Sequence, residues 1–241
     1  FGAGASTFNE VLGKTRNPWN TDKSVAGSSG GAAAALAAGQ VWLAHGSDLG
    51  GSLRIPASFN GVIGLRPSLG RVASGPSSMS FDTLSVDGPM ARTARDTALF
   101  LDALCGEHAC DPLTFPAPAC SFLEAVEAAE VPRRIGFSED LGIVPVDPEV
   151  AAICERAARR FEDLGAIVEP ACPDFSQAME CFQTLRAAKF VAGHGEHLRE
   201  HRTLLKQDII WNTEKGLAQS AEDVAAAELE IALPKMDVSR T

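Results

Sequence analysis

The apolar residues of this 241-residue chain fall into short blocks parted by glycine- and proline-rich breaks, and the spacing within each block predicts an element. Residues 32–38 are alanine-rich and apolar on every side, which predicts a short buried helix. That helix follows Gly30 and Gly31, so its first-turn N–H groups point back toward the residues before it. Residues 41–44 form an apolar run that predicts a buried strand delivering Asp48 to Ser52 at its end. Residues 93–104 predict a helix with Leu99, Phe100, Ala103 and Leu104 inward, and Pro112, Pro116 and Pro118 then mark a connection.

Residues 134–137 predict the next strand. Asp147-Pro148-Glu149 opens the clearest helix, with an aspartate cap, proline in the first turn and an early glutamate. Its apolar residues Val150, Ile153, Ala157, Phe161 and Leu164 step by three or four until Gly165. Residues 166–168 predict a strand and 175–191 a helix. This alternation predicts an α/β sheet with helical cover.

Glycine changes the picture of the first third, since 15 of the 22 glycines lie at or before Gly88. Two serine-glycine loops stand there: Gly27-Ser28-Ser29-Gly30-Gly31, and Gly46-Ser47-Asp48-Leu49-Gly50-Gly51-Ser52-Leu53-Arg54-Ile55-Pro56. Consecutive glycine amides can aim N–H groups at a developing negative charge, the device that stabilises the oxyanion of acyl transfer. Ser52 follows that run directly. A serine hydroxyl is a weak nucleophile without an adjacent base, so two serine loops in order suggest two parts of one site.

The paired loops resemble those of the amidase signature family, serine hydrolases of carboxylic amides. The likeness continues upstream in Gly13-Lys14-Thr15-Arg16-Asn17-Pro18-Trp19-Asn20, and downstream in Gly61-Val62-Ile63-Gly64-Leu65-Arg66-Pro67 and Gly88-Pro89-Met90-Ala91-Arg92-Thr93. It implies a central mixed open sheet covered by helices, incomplete in this chain. It also implies Ser52 as nucleophile and Ser28 as a bridging serine after a cis peptide bond. The amides of Leu49, Gly50, Gly51 and Ser52 would form the oxyanion hole, with Ser29, Asp48 and Arg54 fixing the loops. The family's third catalytic member is a lysine well upstream of the first loop. Lys14 and Lys23 match other parts of the pattern, so the resemblance places no catalytic lysine in this chain, and both ends, at Phe1 and over 233–241, read as interrupted. Ala26 stands where the family usually has glycine, a change expected to have little consequence, and Asn60 where it often has cysteine, a change that says nothing about substrate.

The implied reaction is hydrolysis of a small amide to an acid and ammonia or an amine, without metal or organic cofactor. Two alternatives stay open: the glutaminase subunit of a tRNA-dependent amidotransferase, and an inert fragment lacking the lysine. The acyl pocket is expected to draw on residues 74–81. The domains read as a signature core over 1–104, a proline-containing connection over 105–131 and the rest of the α/β domain over 132–241.

Composition narrows the partners. A net charge of −10 argues against a broad nucleic-acid-binding face, which needs clustered cations. No apolar run is long enough for a spanning helix, and residues 1–10 lack the basic and apolar regions of a leader, so a cytoplasmic protein is expected, without membrane contact. Six scattered cysteines without a Cys-x-x-Cys pair suit free thiols. A homodimer is left open.

Rival motifs are weaker. Ser29 also sits in a Gly-x-Ser-x-Gly elbow, but that turn needs a buried strand before it and residues 17–24 are polar. His197 and His201 match His-x-x-Glu-His, yet Glu196, Arg202 and Lys206 suit an exposed helix better than a metal site. Gly13-Lys14-Thr15 fails as a phosphate loop because Phe8 stands where its first glycine belongs. His45 is expected to pack or to satisfy a hydrogen bond rather than to pair with Ser52. Lone serines in loops usually make local turns, but two loops in this order argue for a site.

Overall fold

The computed structural model describes residues 4–76 and 79–231. Phe1 and residues 233–241 lie outside them, as do positions 77 and 78 of the expected acyl-pocket loop. The chain divides into two compact units, Phe1–Ala129 and Glu130–Thr241.

The first unit begins with a two-residue hairpin, β1 (Phe8–Asn9) against β2 (Gly13–Lys14). Helix α1 (Gly30–Ala37) follows the first serine loop, and β3 (Leu43–Asp48) leads into the second. Then come α2 (Arg54–Asn60), β4 (Ile63–Gly64), β5 (Val86–Ala91), α3 (Ala94–Leu104) and α4 (Phe122–Glu127). β3 and β4 pair antiparallel on either side of β5, with Leu43 opposite Ala91 and Asp48 opposite Val86.

Apolar burial under this sheet sets the position of both serine loops. Ala33 and Leu36 of α1, Leu53 at the turn before α2, Ala57 of α2 and Met90 of β5 form one fully buried cluster. The alanine-rich helix is buried as its composition requires, because small side chains let α1 lie close to its neighbours. Thr93 caps α3 by accepting the Asp96 N–H, and Asp102 accepts the first two amides of α4 at 2.7 and 3.0 Å.

The second unit opens on a parallel pair, β6 (Arg134–Phe137) and β7 (Ile167–Pro170), joined through α5 (Pro148–Arg159). Asp147 caps α5 by accepting the Glu149 N–H at 2.8 Å, as its sequence predicts. α5 ends at Arg159; a short 3₁₀ turn, Glu162–Leu164, carries the chain to Gly165. Three helices complete the unit, α6 (Ala178–His201), α7 (Gln207–Leu217) and α8 (Ala221–Ile231), with α6 packed on both others. The fold is thus α/β with antiparallel and parallel strand pairs under helices.

Three expectations need correction. The strand expected over 41–44 runs from Leu43 to Asp48, and Trp42 is 81% exposed. The inner face of α3 is Thr97, Ala98 and Leu101, whereas Leu99 is half exposed. The helix expected over 175–191 is longer, reaching His201.

Candidate active site

β3 and α1 bring the two serine loops side by side. The Ser29 N–H donates to the Ser52 carbonyl at 3.3 Å, linking the loops through their backbones. The Ser29 hydroxyl donates to the Ser47 carbonyl at 3.3 Å and accepts the Ser47 N–H at 3.4 Å. Ser29 thus fastens the start of α1 to β3, and a hydroxyl so engaged is poorly placed for attack. Gly46 makes room for it: a Cβ there would stand 2.7 Å from Ser29 Oγ and 2.8 Å from Leu53 Cδ2. The peptide bond between Gly27 and Ser28 is cis. Thr7 Oγ1 donates to the Ala26 carbonyl at 2.9 Å and reaches the Ser28 carbonyl at 3.5 Å, tying this loop to the hairpin strand region. Ser28 and Ser52 are both half-buried. Among the described residues no hydrogen bond joins their hydroxyls directly.

Asp48, at the end of β3, is fully buried and organises the second loop. Its carboxylate accepts the Gly51 N–H at 2.8 Å and the Leu53 N–H at 3.2 Å. Arg54 donates from Nε at 2.9 Å and from Nη2 at 3.0 Å, a fork on both oxygens. Arg66 Nη1 adds a contact at 3.1 Å. Burial by itself pushes the Asp48 pKa up, but the Arg54 hydrogen bond, the Gly51 amide, the Arg54 charge and the Leu53 amide outweigh it, leaving about 2. The same pair pushes the Arg54 guanidinium above its ordinary value.

These contacts fix the loop's peptide planes. Gly51 turns with φ +108°, a conformation side chains resist, and a Cβ there would meet Ile55 Cδ1 at 2.5 Å. Its carbonyl accepts the Ile55 N–H at 2.8 Å, so the Ser52 N–H on the same peptide points the opposite way. Gly51, expected among the oxyanion donors, directs its own N–H to Asp48 instead. Among the described residues the N–H groups of Leu49, Gly50 and Ser52 make no hydrogen bond.

Residues that local pattern did not single out for a role buttress the loops. Asn60, fully buried, donates to the Val25 carbonyl at 3.1 Å and the Pro56 carbonyl at 2.8 Å. Asn17 donates to the Phe59 carbonyl at 2.7 Å, and Trp19 Nε1 to the Asn60 carbonyl at 2.7 Å. Asn60 therefore does more than fill a cysteine's place: it joins α2 to the chain entering the first loop. Ala26 sits at φ +58°, the left-handed region, which accounts for a glycine preference there.

The remaining candidates lie elsewhere. His45 is exposed on β3, with Nε2 3.9 Å from Asp87 Oδ1 on β5. Lys14 and Lys23 line a cleft of about 580 Å³ with Thr7, Phe8, Arg16 and Asp22, and neither is bonded to Ser28. His197 and His201 are exposed on α6, and no cluster of His, Cys, Asp and Glu suited to a metal occurs among the described residues. The six cysteines are free. No helix among the described residues is long and apolar enough to cross a membrane.

The paired loops have counterparts in known proteins. The Amidase family model matches residues 1–232. An acylamidase of Rhodococcus erythropolis is 41% identical over 174 residues, 72% of this chain and 36% of the relative. A glutamyl-tRNA(Gln) amidotransferase subunit of Moorella thermoacetica is 40% identical over 169 residues, 70% of this chain and 35% of the relative. The solved structure of a bacterial aryl acylamidase superposes with a TM-score of 0.85 at 32% identity, covering 95% of this chain and 49% of that one. The chain thus spans little more than a third of those curated relatives and about half of that structure. With the matched model covering nearly all of its length, the first serine loop joined to the second through Ser29 and the second built on a buried aspartate, the chain belongs to the amidase signature family.

Proposed function

We propose that the protein hydrolyses a small carboxylic amide through a seryl acyl-enzyme, with Ser52 as nucleophile and Ser28 as the group that relays its proton. Ser52 attacks the carbonyl carbon, and the N–H groups of Leu49, Gly50 and Ser52 hold the oxyanion. Gly51 contributes its turn rather than its N–H. The proton returns through Ser28 to the leaving nitrogen, and water then cleaves the ester by the same relay. The family resemblance implies a lysine behind Ser28, a role for which neither Lys14 nor Lys23 is a candidate. Ser29, Asp48 and Arg54 hold the geometry.

The observation that carries this reading is the joint of the two loops: the Ser29 N–H on the Ser52 carbonyl, with Asp48 pinning the amides on either side of Ser52. The acylamidase of Rhodococcus erythropolis and the bacterial aryl acylamidase support acyl amides and anilides as the substrate class. A second reading, glutamine hydrolysis within an amidotransferase, is favoured by the Moorella thermoacetica protein at nearly equal identity. Hydrolysis of acyl anilides without ATP or a partner is expected; release of ammonia from glutamine alone, dependent on a co-purifying partner, would select the second reading. A serine-directed phosphonate should label Ser52, and Ser52→Ala should lower turnover by as much as about 10⁶-fold. Labelling at Ser29 would overturn the assignment.

A further inference from the structure

Arg66 stands just after β4, outside both serine loops. Its Nη1 donates to the backbone carbonyl of Asp48 and, at 3.1 Å, to Oδ1 of the same residue. Its Nη2 donates to the Leu84 carbonyl at 3.0 Å, two residues before β5. One rigid, planar fork therefore holds three acceptors in fixed relation.

The grip on the Asp48 carbonyl has a directional effect. A trans peptide points its C=O and its N–H to opposite sides of one plane. Holding the Asp48 carbonyl therefore sets where the Leu49 N–H points. Ile55 does the same for Ser52 by holding the Gly51 carbonyl. Rotation of the 48–49 peptide would replace a donor by a carbonyl oxygen and repel a developing negative charge.

We infer that Arg66 is a positioning residue for amide hydrolysis: it sets the 48–49 peptide plane so that the Leu49 N–H faces the oxyanion, and anchors that plane to the segment entering β5. The inference rests on the amide-hydrolysis reading above. Arg66 touches no reacting atom and acts only through Leu49. Asp48 keeps Arg54 and two amides when Arg66 is changed, so the rest of the loop retains its main support. A lysine at 66 would keep a positive charge beside Asp48 but could not span the Asp48 and Leu84 carbonyls together.

The test compares Arg66→Gln and Arg66→Lys with the unaltered protein in three measurements. These are kcat and KM on a simple acyl anilide, affinity for an alkyl boronic acid, and affinity for the product carboxylic acid. The boronic acid forms a tetrahedral adduct on the serine and so carries the oxyanion, whereas the acid does not. Arg66→Gln should lower kcat by about 10- to 100-fold, somewhat less than deleting a donor outright, with KM changed by under about threefold. Boronate affinity should fall with kcat and acid affinity should hold, with Arg66→Lys between the two. Boronate affinity equal to that of the unaltered protein, or an equal loss for boronate and acid, overturns the inference. Should Arg66→Gln fail to fold, Arg66→Lys decides by the same criterion. Failure of the boronate to bind the unaltered protein at Ser52 would sink the amidase reading itself, whereas equal binding to all three proteins sinks only the role of Arg66.

Discussion

Asp48 accepts two backbone amides and two guanidiniums while fully buried, so its charge is worth more to the folded chain than to the unfolded one. Its folded pKa is about 2, against roughly 3.9 for a free aspartate. A lowered folded value means stability that is complete above the unfolded pKa and is lost as pH falls through the folded one. The difference amounts to about 2–3 kcal/mol, lost between about pH 4 and pH 2. Urea titrations across that window should show the unaltered protein losing this amount, and Asp48→Asn, already weaker at neutral pH, showing a flatter acid limb. Equal slopes would mean that Asp48 is not the titrating carboxylate. At this scale Ser28, Ser29, Ser52, Asp48 and Arg54 were legible because each sits inside one of two contiguous glycine loops, where neighbours in sequence stay neighbours in space. Arg66, Asn17 and Asn60 stand in segments that match the family pattern, with no local sign of a role. The bonds of Arg66 to Asp48, Asn60 to Val25 and Asn17 to Phe59 reach residues 18, 35 and 42 positions away, which no local spacing encodes.

Elements were read best where a cap marks the start, as Asp147 does for α5, although Ala151 is the one buried residue of that helix and Val150 and Ile153 are exposed, and worst where polar groups find partners inside. Thr97 can take an inner place on α3 because its hydroxyl is satisfied by the Thr93 carbonyl at 2.8 Å, whereas Leu99 is half exposed. β3 runs past its apolar start into His45, Gly46, Ser47 and Asp48 because its ladder with β5 is made by backbone, whatever the side chains. Its partner escaped notice for a related reason: Val86–Ala91 contains Gly88-Pro89, and proline normally argues against a central strand. Here the Pro89 carbonyl still accepts the Leu65 N–H at 3.1 Å. The contact that matters most between elements is Gly46 of β3 against Ser29 before α1. Gly46→Ala should push the two serine loops apart, costing about 1–3 kcal/mol in stability as an overpacked site does, with a fall in kcat beyond the loss of folded protein. Thermal melts and active-site titration on the same preparation separate the two effects; unchanged turnover per folded molecule would mean that the Ser29 joint does not set the site.

Alternation of strands and helices as far as β7 made the α/β class legible, before α6, α7 and α8 follow without a strand between them. Division into units was harder to read, because prolines mark any irregular segment and not boundaries alone. Residues 105–121 contain three of them, yet this segment is strapped to the first unit. Val72 bridges to Cys105, and the buried Asp111 accepts the Ser74 N–H at 2.8 Å. The Phe115 N–H donates to the Gly70 carbonyl at 2.9 Å, and Arg71 donates to the Pro116 carbonyl at 3.2 Å while lying over the Phe115 ring. Cleavage requires a stretch of backbone to leave such bonds and enter a protease, so strapped segments resist it. Between the end of α4 and the start of β6 the chain is exposed, and the two units meet in sequence there. Brief digestion with a broad-specificity protease, mapped by mass, should therefore place the first cut within residues 129–133 and leave 105–121 intact. A first cut inside 105–121 would show that the bonds to Gly70 and Ser74 open readily in solution.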